Sequence, residues 1–354
     1  MQVAVAMSGG IDSTVAAWTL KEQGHEVVGL TMRLHTGDDT CRDASDAAGI
    51  LGIPHEIIDL REPFSREVIE PFCREYLEGR TPNPCAFCNP AIKFGILAEA
   101  ARKQGADRFA TGHYARIRID EGGIPRLQKA VDETKDQSYF LALLGPEQLA
   151  FTLFPLGDIT KNQVREIVGR IAPALRERKE SQETCFLHDG SPGDYIRARR
   201  QDNVAKGEII DASGKVVGTH KGLPYYTIGQ RRGLGVAMGA PMYVVSLDAP
   251  NNRVVIGPES SLYRASMQVR STVWTSGVPI EADRRLMVKI RYATPAVMAT
   301  VRPEGEMLFV AFDKPVRAIT PGQIAAFYEG DEVVGAGIIV RSLHARDRCS
   351  VTSL

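Results

Sequence analysis

A short segment rich in glycine and hydroxyl residues lies between the first apolar stretch and the first helical stretch of the chain. This segment is SGGIDST, residues 8–14. A strand, a glycine turn and a helix N-terminus gather backbone N–H groups and the positive helix end around one point, which suits a phosphate. Gly9 and Gly10 permit a tight turn, and Ser8, Ser13 and Thr14 would add hydroxyl donors. The segment predicts a phosphate site; the alternative is an ordinary serine-glycine turn that caps a helix.

The loop is not a Walker A motif, because no Gly-Lys-Ser/Thr closes it. It resembles the SGGxDS loop of the PP-loop ATP pyrophosphatase superfamily, whose members split ATP into AMP and pyrophosphate to activate a carbonyl oxygen. The resemblance implies bound ATP, with Asp12 holding Mg²⁺ beside the phosphates. Met32 ends the second predicted strand and Gly112 follows a later one, so both are expected at the same sheet edge near the adenosine.

Two cysteines are candidates for catalysis. Six cysteines are too few for a disulfide scaffold in a chain of 354 residues, and a cytosolic setting would keep them reduced. Cys88 lies just before a helical stretch predicted to begin near Ile92, so the helix dipole and Lys93 should favour its thiolate. Cys185 is a second candidate thiol, which the fold would bring close to Cys88. Buried structural roles are expected for Cys41, Cys73 and Cys349.

The elements that must position these residues change character along the chain. Apolar strands at 3–7, 27–32, 54–58 and 108–111 alternate with helical stretches at 12–23 and 92–104, and Gly24 and Gly105 follow those helices as stop signals. This alternation predicts an α/β domain with a doubly wound parallel sheet. From about residue 205, strand-like runs separated by turns predict β-rich domains. The expected division is a catalytic domain at 1–200, a central β-rich domain at 201–265 and a C-terminal β-barrel at 266–354.

Composition sets the broad class of the protein. Hydrophobic residues make up 44% and charged residues 24%, as in a soluble globular protein. There is no run of about 20 apolar residues, and the N-terminus enters an apolar strand directly, which predicts a cytoplasmic protein. Lysine plus arginine equals aspartate plus glutamate at 43 each, so any nucleic acid must be bound by local basic patches.

The cysteine segments and several others together are similar to the tRNA-specific 2-thiouridylase family. The matching segments, in order along almost the whole chain, are SGGIDST, TPNPCAFCNPAIKF, ATGHYAR, KDQSYFL, FPLGDITKNQVREI, SQETCF, YTIGQRRGLG, PMYVV, KIRY and RAITPGQIAAFY. The resemblance implies an enzyme that adenylates the C2 oxygen of the wobble uridine with ATP and replaces that oxygen with sulfur. It also implies two partners: tRNA, at the anticodon stem-loop of lysine, glutamate and glutamine tRNAs, and a cysteine desulfurase or persulfide relay protein.

The same resemblance assigns roles to individual residues. Cys185 matches the cysteine that carries persulfide sulfur, and Cys88 matches the nucleophile that works with it and releases the sulfur by forming a disulfide. The positions that match ATP binding are Ala6, Met7, Ser8, Gly9, Gly10, Ile11, Asp12, Ser13, Met32 and Gly112. The positions that match contacts with the target base are Asn83, Pro84 and Cys85, and those that match other tRNA contacts are Lys135, Asp136, Gln137, Arg291 and Tyr292.

Cys85 departs from the family pattern, in which this position is aspartate. It forms a Cys-x-x-Cys pair with Cys88. Together with Cys185, these residues would provide three ligands for a 4Fe–4S cluster with one open iron, or for a zinc ion. The alternative, which is favoured, is a tolerated replacement on a loop that contacts the base.

Basic and aromatic residues interleave after the second candidate cysteine. Such a surface would grip phosphates and stack on the unpaired bases of an anticodon loop, although charge clusters also serve as solvated surface. These residues are Tyr195, Arg197, Arg199, Arg200, Lys206, Lys221, Tyr225, Tyr226, Arg231 and Arg232.

Two other functions are compatible with the ATP loop. An AMP-forming enzyme that amidates a small molecule would need a glutaminase or an ammonia channel, and it would not need Cys88 or Cys185. A non-catalytic nucleotide-binding module would bind ATP without releasing pyrophosphate. Measuring pyrophosphate release with and without tRNA distinguishes these alternatives.

Overall fold

A computed structural model describes residues 1–36, 39–175, 184–187, 190–200, 204–236 and 238–343. Its strands are β1 Gln2–Ala6, β2 Glu26–Arg33, β3 His55–Asp59, β4 Arg108–Thr111, β5 Ala115–Ile119, β6 Pro125–Lys129, β7 Thr152–Leu153, β8 Gly207–Ile210, β9 Val216–His220, β10 Tyr243–Asp248, β11 Arg253–Gly257, β12 Tyr263–Trp274, β13 Arg284–Lys289, β14 Val297–Glu304, β15 Met307–Arg317, β16 Ile324–Glu329 and β17 Glu332–Leu343.

Its α-helices are α1 Ile11–Glu22, α2 Asp39–Leu51, α3 Arg61–Phe64, α4 Glu70–Leu77, α5 Pro84–Cys88, α6 Ala98–Lys103, α7 Ser138–Leu141, α8 Pro146–Phe151, α9 Lys161–Ile171 and α10 Pro192–Arg199. π-Helical segments at Ser65–Ile69 and Asn89–Leu97 join α3 to α4 and α5 to α6. Short 3₁₀ turns lie at Pro173–Leu175, Leu223–Tyr225 and Glu259–Leu262.

The N-terminal part is built around a parallel sheet in the order β3-β2-β1-β4-β7. The side chains of β1 show that the sheet is covered on both faces, because successive side chains of a strand point to opposite sides. Ala4 belongs to one core cluster, and Val3 and Val5 belong to the cluster on the other face. The prediction of a doubly wound α/β domain is confirmed, and Gly24 and Gly105 end their helices with positive φ values of 81° and 90°.

One predicted helix boundary is wrong. The helical run that was expected to begin near Ile92 begins at Pro84 and continues through the π-helical segment to Lys103. Asn83 is the N-cap, because its side-chain oxygen accepts a hydrogen bond from the backbone N–H of Ala86 at 3.2 Å. Proline at the first helical position has the fixed φ that a helix start needs. Cys88 therefore lies inside a helical run and not before one.

The central part is a small sheet in the order β10-β11-β8-β9, and the connections at 211–214 and 248–252 are hairpin turns. The C-terminal part is a barrel in the order β12-β15-β14-β13-β16-β17, which closes through β12 and β17. The expected β-rich architecture is confirmed. Among the helices of the described residues, none combines the length and the apolar composition that a membrane span requires.

A hairpin of the N-terminal part extends the sheet of the C-terminal barrel. Strands β5 and β6 pair with each other, and β6 pairs with β17 through Leu127 opposite Val333. One core cluster accordingly contains residues of both parts, including Leu127, Val333 and Tyr328, all nearly or fully buried. This hairpin was not predicted from the sequence, and it fixes the barrel against the domain that carries the ATP loop.

Candidate active site

The predicted phosphate loop connects β1 to α1 at the carboxyl edge of the parallel sheet. Gly9 has φ +72°, and a Cβ at this position would lie 2.5 Å from the Cβ of Asp43, so only glycine fits. The hydroxyls of Ser13 and Thr14 donate hydrogen bonds to the carbonyl oxygen of Gly10 at 3.1 and 2.9 Å. Their hydroxyls therefore stabilise the loop itself, and backbone N–H groups remain the main means of holding a phosphate.

Asp12, at the start of α1, contacts two residues that are distant in sequence. Its carboxylate accepts hydrogen bonds from Lys161 Nζ at 2.7 and 2.9 Å and from the Tyr114 hydroxyl at 2.7 Å. The Lys161 side chain is only 6% exposed, whereas that of Asp12 is 35% exposed. Mg²⁺ is usually held by one or two carboxylates together with substrate phosphates, so this partly exposed carboxylate beside the loop fits such an ion.

The segment Thr111–Tyr114 joins the ATP loop to the helical run that carries Cys88. A Cβ on Gly112 would lie 2.7 Å from the backbone of Asp12 and Ser13, so this glycine allows the two chain segments to touch. His113 Nδ1 lies 2.7 Å from Thr111 Oγ1, and its Nε2 lies 3.5 Å from Lys93 Nζ. Burial, together with Lys93, lowers the pKa of His113 well below its ordinary value. His113 is therefore neutral near pH 7.

Cys88 is partly buried, and the expectation of a favoured thiolate is wrong for this conformation. Burial raises the pKa of the Cys88 thiol to about 11, and the charge of Lys93 offsets only part of that effect. The physical reason is desolvation, because Cys88 packs against the core cluster, and its place near the end of α5 is away from the helix start where the dipole would favour a thiolate. Lys93 acts in the predicted direction, but desolvation is the larger effect.

Cys185 is exposed, whereas the next residue, Phe186, is only 3% exposed. The Phe186 ring lies 5.0 Å from the ring of Phe72, 5.1 Å from Tyr195 and 5.9 Å from Phe64. These aromatic contacts anchor the segment and leave the Cys185 thiol on the surface. Cys88 packs against the same core cluster that contains Phe186. Residues 181–183, which precede Cys185 in its motif, lie outside the described residues.

Among the described cysteines, Cys41 and Cys73 are buried as expected, Cys88 is partly buried, and Cys85 and Cys185 are exposed. Cys349 lies outside the described residues. In the part of the chain that the structure describes, no three His, Cys, Asp or Glu residues are grouped so that they would hold a metal ion. Cys85, Cys88 and Cys185 therefore do not fit an iron–sulfur cluster or a zinc ion in this conformation.

Two of the predicted tRNA-contact segments meet beside the barrel. The Phe140 ring lies 4.6 Å from the ring of Tyr292, which is 40% exposed, and Lys289 Nζ lies 5.4 Å from the same ring. We call Phe140, Lys289 and Tyr292 the aromatic platform. A partly exposed ring flanked by a cation suits a stacked base. Tyr292 was predicted from the sequence as a tRNA contact, whereas Phe140 and Lys289 were not.

Two other residues that were predicted to contact tRNA form hydrogen bonds within the protein. The Asp136 carboxylate, 7% exposed, accepts hydrogen bonds from the N–H of Ala130 and from the N–H and hydroxyl of Ser138. The Arg291 guanidinium donates to the carbonyl oxygens of Ile228 and Ala318 and to the Thr320 hydroxyl. Arg291 thus connects the central part to the barrel.

The loop predicted to contact the base is also fixed by the barrel. The N–H of Thr81 donates to Pro321 O at 2.9 Å, and Gln323 Nε2 donates to Thr81 O at 2.8 Å. Asn83 and Pro84 follow directly as the N-cap and first residue of α5, with Cys85 exposed behind them. The barrel therefore sets the position of α5, which ends at Cys88.

Several residues of the predicted basic and aromatic patch contact one another. Lys221 Nζ lies 4.0 Å from the centre of the Tyr225 ring, and Arg197 lies 5.7 Å from it. Arg199 lies over Tyr195, whereas Arg200 is paired with Glu70 and Tyr226 is buried. Exposed Arg231 borders a cleft of about 440 Å³ whose other lining residues are Gly233, Leu234, Gly235, Val236, Ala240, Pro241 and Met242.

The fold and the site define an α/β nucleotide-binding domain of the PP-loop type followed by two β domains, with the thiols of Cys88 and Cys185 as the candidate nucleophiles. Three family profiles match in the same order: the tRNA methyl transferase HUP domain at residues 1–189, the tRNA methyl transferase PRC-barrel domain at 194–258 and the Aminomethyltransferase beta-barrel domain at 264–339.

Close relatives identify the family. The tRNA-specific 2-thiouridylase MnmA of Moorella thermoacetica is 46% identical over 350 residues, which are 95% of this chain and 98% of that protein. The protein of the same name from Syntrophomonas wolfei is 45% identical over 344 residues, covering 96% of this chain and all of that protein. The chain belongs to the tRNA-specific 2-thiouridylase family.

Proposed function

We propose that the protein is a tRNA-uridine 2-sulfurtransferase that adenylates the C2 oxygen of the wobble uridine and replaces it with sulfur from a cysteine persulfide. The observation that carries the proposal is the segment Thr111–Tyr114. It contacts the ATP loop through Gly112 and Tyr114, and it contacts the helical run of Cys88 through His113 and Lys93. A reaction that couples ATP cleavage to thiol chemistry needs these two sites side by side.

The first half-reaction would take place at the ATP loop. The C2 oxygen of uridine attacks the α-phosphate of ATP, a bond from that oxygen to phosphorus forms, and pyrophosphate leaves. The backbone N–H groups of residues 8–10 would hold the phosphates, and Asp12 would bind Mg²⁺, which neutralises their charge when it is bound. The purpose of this step is to turn a poor leaving group into AMP.

The second half-reaction would use the two thiols. The terminal sulfur of a Cys185 persulfide attacks C2, AMP leaves, and the base is then joined to Cys185 through a disulfide. The Cys88 thiolate attacks the Sγ of Cys185, which releases 2-thiouridine and leaves a Cys88–Cys185 disulfide. An external thiol reductant restores both cysteines. The exposure of Cys185 supports its role as acceptor from a desulfurase or relay protein.

The anticodon stem-loop of lysine, glutamate and glutamine tRNAs is the proposed substrate. The uridine would lie against Asn83, Pro84 and Cys85 at the start of the Cys88 helix, with Lys135 and Tyr292 contacting the RNA nearby. The cations around Tyr225 and the exposed arginines at 231 and 232 would contact phosphates of the RNA farther from the uridine.

Mass spectrometry of tRNA provides the most direct test. Cells that lack this protein should lose 2-thiouridine, and the chain expressed from a plasmid should restore it. Purified protein supplied with tRNA, ATP and a persulfide donor should form 2-thiouridine together with AMP and pyrophosphate. Cys88→Ser and Cys185→Ser should each abolish thiolation, whereas Cys41→Ser should not. Unchanged 2-thiouridine after deletion would contradict the proposal.

A further inference from the structure

Tyr114 is held at both ends by hydrogen bonds to functional segments. Its side chain is buried, at 2% exposure, and its hydroxyl donates to Asp12 Oδ1 at 2.7 Å. Its backbone N–H donates to Gln137 Oε1 at 3.0 Å, and its carbonyl oxygen accepts from the N–H of Gln137 at 2.8 Å. Residue 114 therefore bridges the ATP loop and the turn that contains Gln137.

Lys161 strengthens the same connection. Its ammonium binds both oxygens of Asp12 and lies 5.6 Å from the centre of the Tyr114 ring. The orientation of the Asp12 carboxylate thus depends on two groups that lie outside the ATP loop. Displacing the Tyr114 ring would change both of them, because the ring contacts the ammonium and carries the hydroxyl.

The turn with Gln137 leads directly to the aromatic platform. The N–H of Phe140 donates to Gln137 O at 3.0 Å, and the Phe140 ring packs on Tyr292. Asp136, fixed by its hydrogen bonds to Ala130 and Ser138, stiffens this turn. A stiff turn transmits a displacement of the platform, whereas a loose turn would absorb it.

We propose that Tyr114 is a positioning residue which, through Gln137, connects RNA stacked on the aromatic platform to the Asp12 carboxylate in the ATP loop. The inference rests on the proposed function, because it takes the stacked ligand to be the tRNA substrate. RNA that orders the platform favours one placement of Gln137 and Tyr114, and this placement presents Asp12 to the nucleotide and its magnesium. By linkage, ATP tightens tRNA binding by the same factor.

The test is the thermodynamic coupling between the two ligands. The affinity for α,β-methylene ATP with Mg²⁺ is measured by calorimetry without tRNA and with saturating tRNA. The coupling factor is the ratio of the two affinities. For the wild-type protein we expect tRNA to increase the affinity for the analogue by at least about fivefold, which is the lower end of usual coupling factors. In Tyr114→Phe, which keeps the ring and removes the hydroxyl, the factor should fall to about one while tRNA affinity without nucleotide is retained.

Two further variants make the result specific. Gln137→Met keeps the size of the side chain and removes the acceptor for the Tyr114 N–H, so it should also lose the coupling. Tyr76→Phe removes another buried tyrosine hydroxyl, on α4, and should keep the wild-type factor. Thermal unfolding of each variant identifies loss of fold.

The outcomes separate this proposal from the proposed function. The role of Tyr114 is overturned if the wild-type protein has a coupling factor of one. It is also overturned if folded Tyr114→Phe keeps the coupling factor of the wild-type protein, even if tRNA is thiolated normally. Wild-type protein that binds tRNA and ATP but forms no 2-thiouridine with a persulfide donor overturns the proposed function and leaves the coupling result standing.

Discussion

The raised pKa of Cys88 predicts that this thiol is slow to alkylate in the free protein. A shift from 9.0 to about 11 leaves roughly a hundredfold less thiolate at pH 8. The thiolate that does form is more nucleophilic by roughly six- to tenfold, because nucleophilicity rises with pKa. The net effect is a rate roughly tenfold below that of an ordinary thiol, and partial burial slows the reaction further. Cys185, which is exposed, should react first.

Iodoacetamide labelling followed by peptide mass spectrometry checks this order. Between pH 8 and 10 the rate for Cys88 should rise about tenfold per pH unit without levelling off. Lys93→Gln should slow Cys88 further, because Lys93 lowers the pKa of Cys88, and Lys93→Arg should restore the rate. Labelling of Cys88 as fast as Cys185 at pH 8, or a plateau below pH 9, would refute the reasoning.

Three other predictions concern the loop, the histidine and the aromatic anchor. Gly9→Ala should weaken binding of α,β-methylene ATP at least tenfold in calorimetry because its Cβ would strike Asp43, whereas Gly24→Ala, which meets nothing within 4 Å, should bind normally. Below pH 6.5 His113 is protonated in the unfolded chain but not in the folded protein. The free energy of unfolding, measured with denaturant, should therefore fall by about 1 kcal/mol for each unit that the pH is lowered, and His113→Gln should flatten this slope. Phe186→Ala should cost about 3 kcal/mol of local stability and speed proteolysis near Cys185; equal cleavage rates would contradict the anchoring role.

The strands and the ATP loop could be predicted because their signals are local. Apolar stretches of four to six residues and helix-ending glycines marked β1 to β4 closely, as in Arg108–Thr111. The start of α5 was missed although its signals, an asparagine N-cap followed by proline at Asn83 and Pro84, are also local. The hairpin β5–β6 was also missed, although the alternation of its residues and its Gly122-Gly123 turn are visible in the sequence.

Other features depend on contacts between distant parts of the chain. Lys161 lies 149 residues from Asp12, and no spacing in the sequence indicates that the two form an ion pair. The pKa of Cys88 was predicted in the wrong direction because a neighbouring lysine is visible in the sequence, whereas desolvation by a packed core is not. The partners of Arg291 are backbone carbonyls of two other segments, which sequence patterns do not reveal.

The contrast between the two thiols has a consequence for the order of the proposed reaction. A thiolate at position 88 close to a persulfide on Cys185 would attack it and lose the sulfur before any base was present. A Cys88 that is protonated in the free protein avoids this loss, while the exposed Cys185 can still be loaded by a donor. In the proposed reaction we therefore expect deprotonation of Cys88 to follow the arrival of tRNA, and Lys93, which lies on the same helical run and opposes the desolvation, is the cation placed to stabilise the thiolate at that stage.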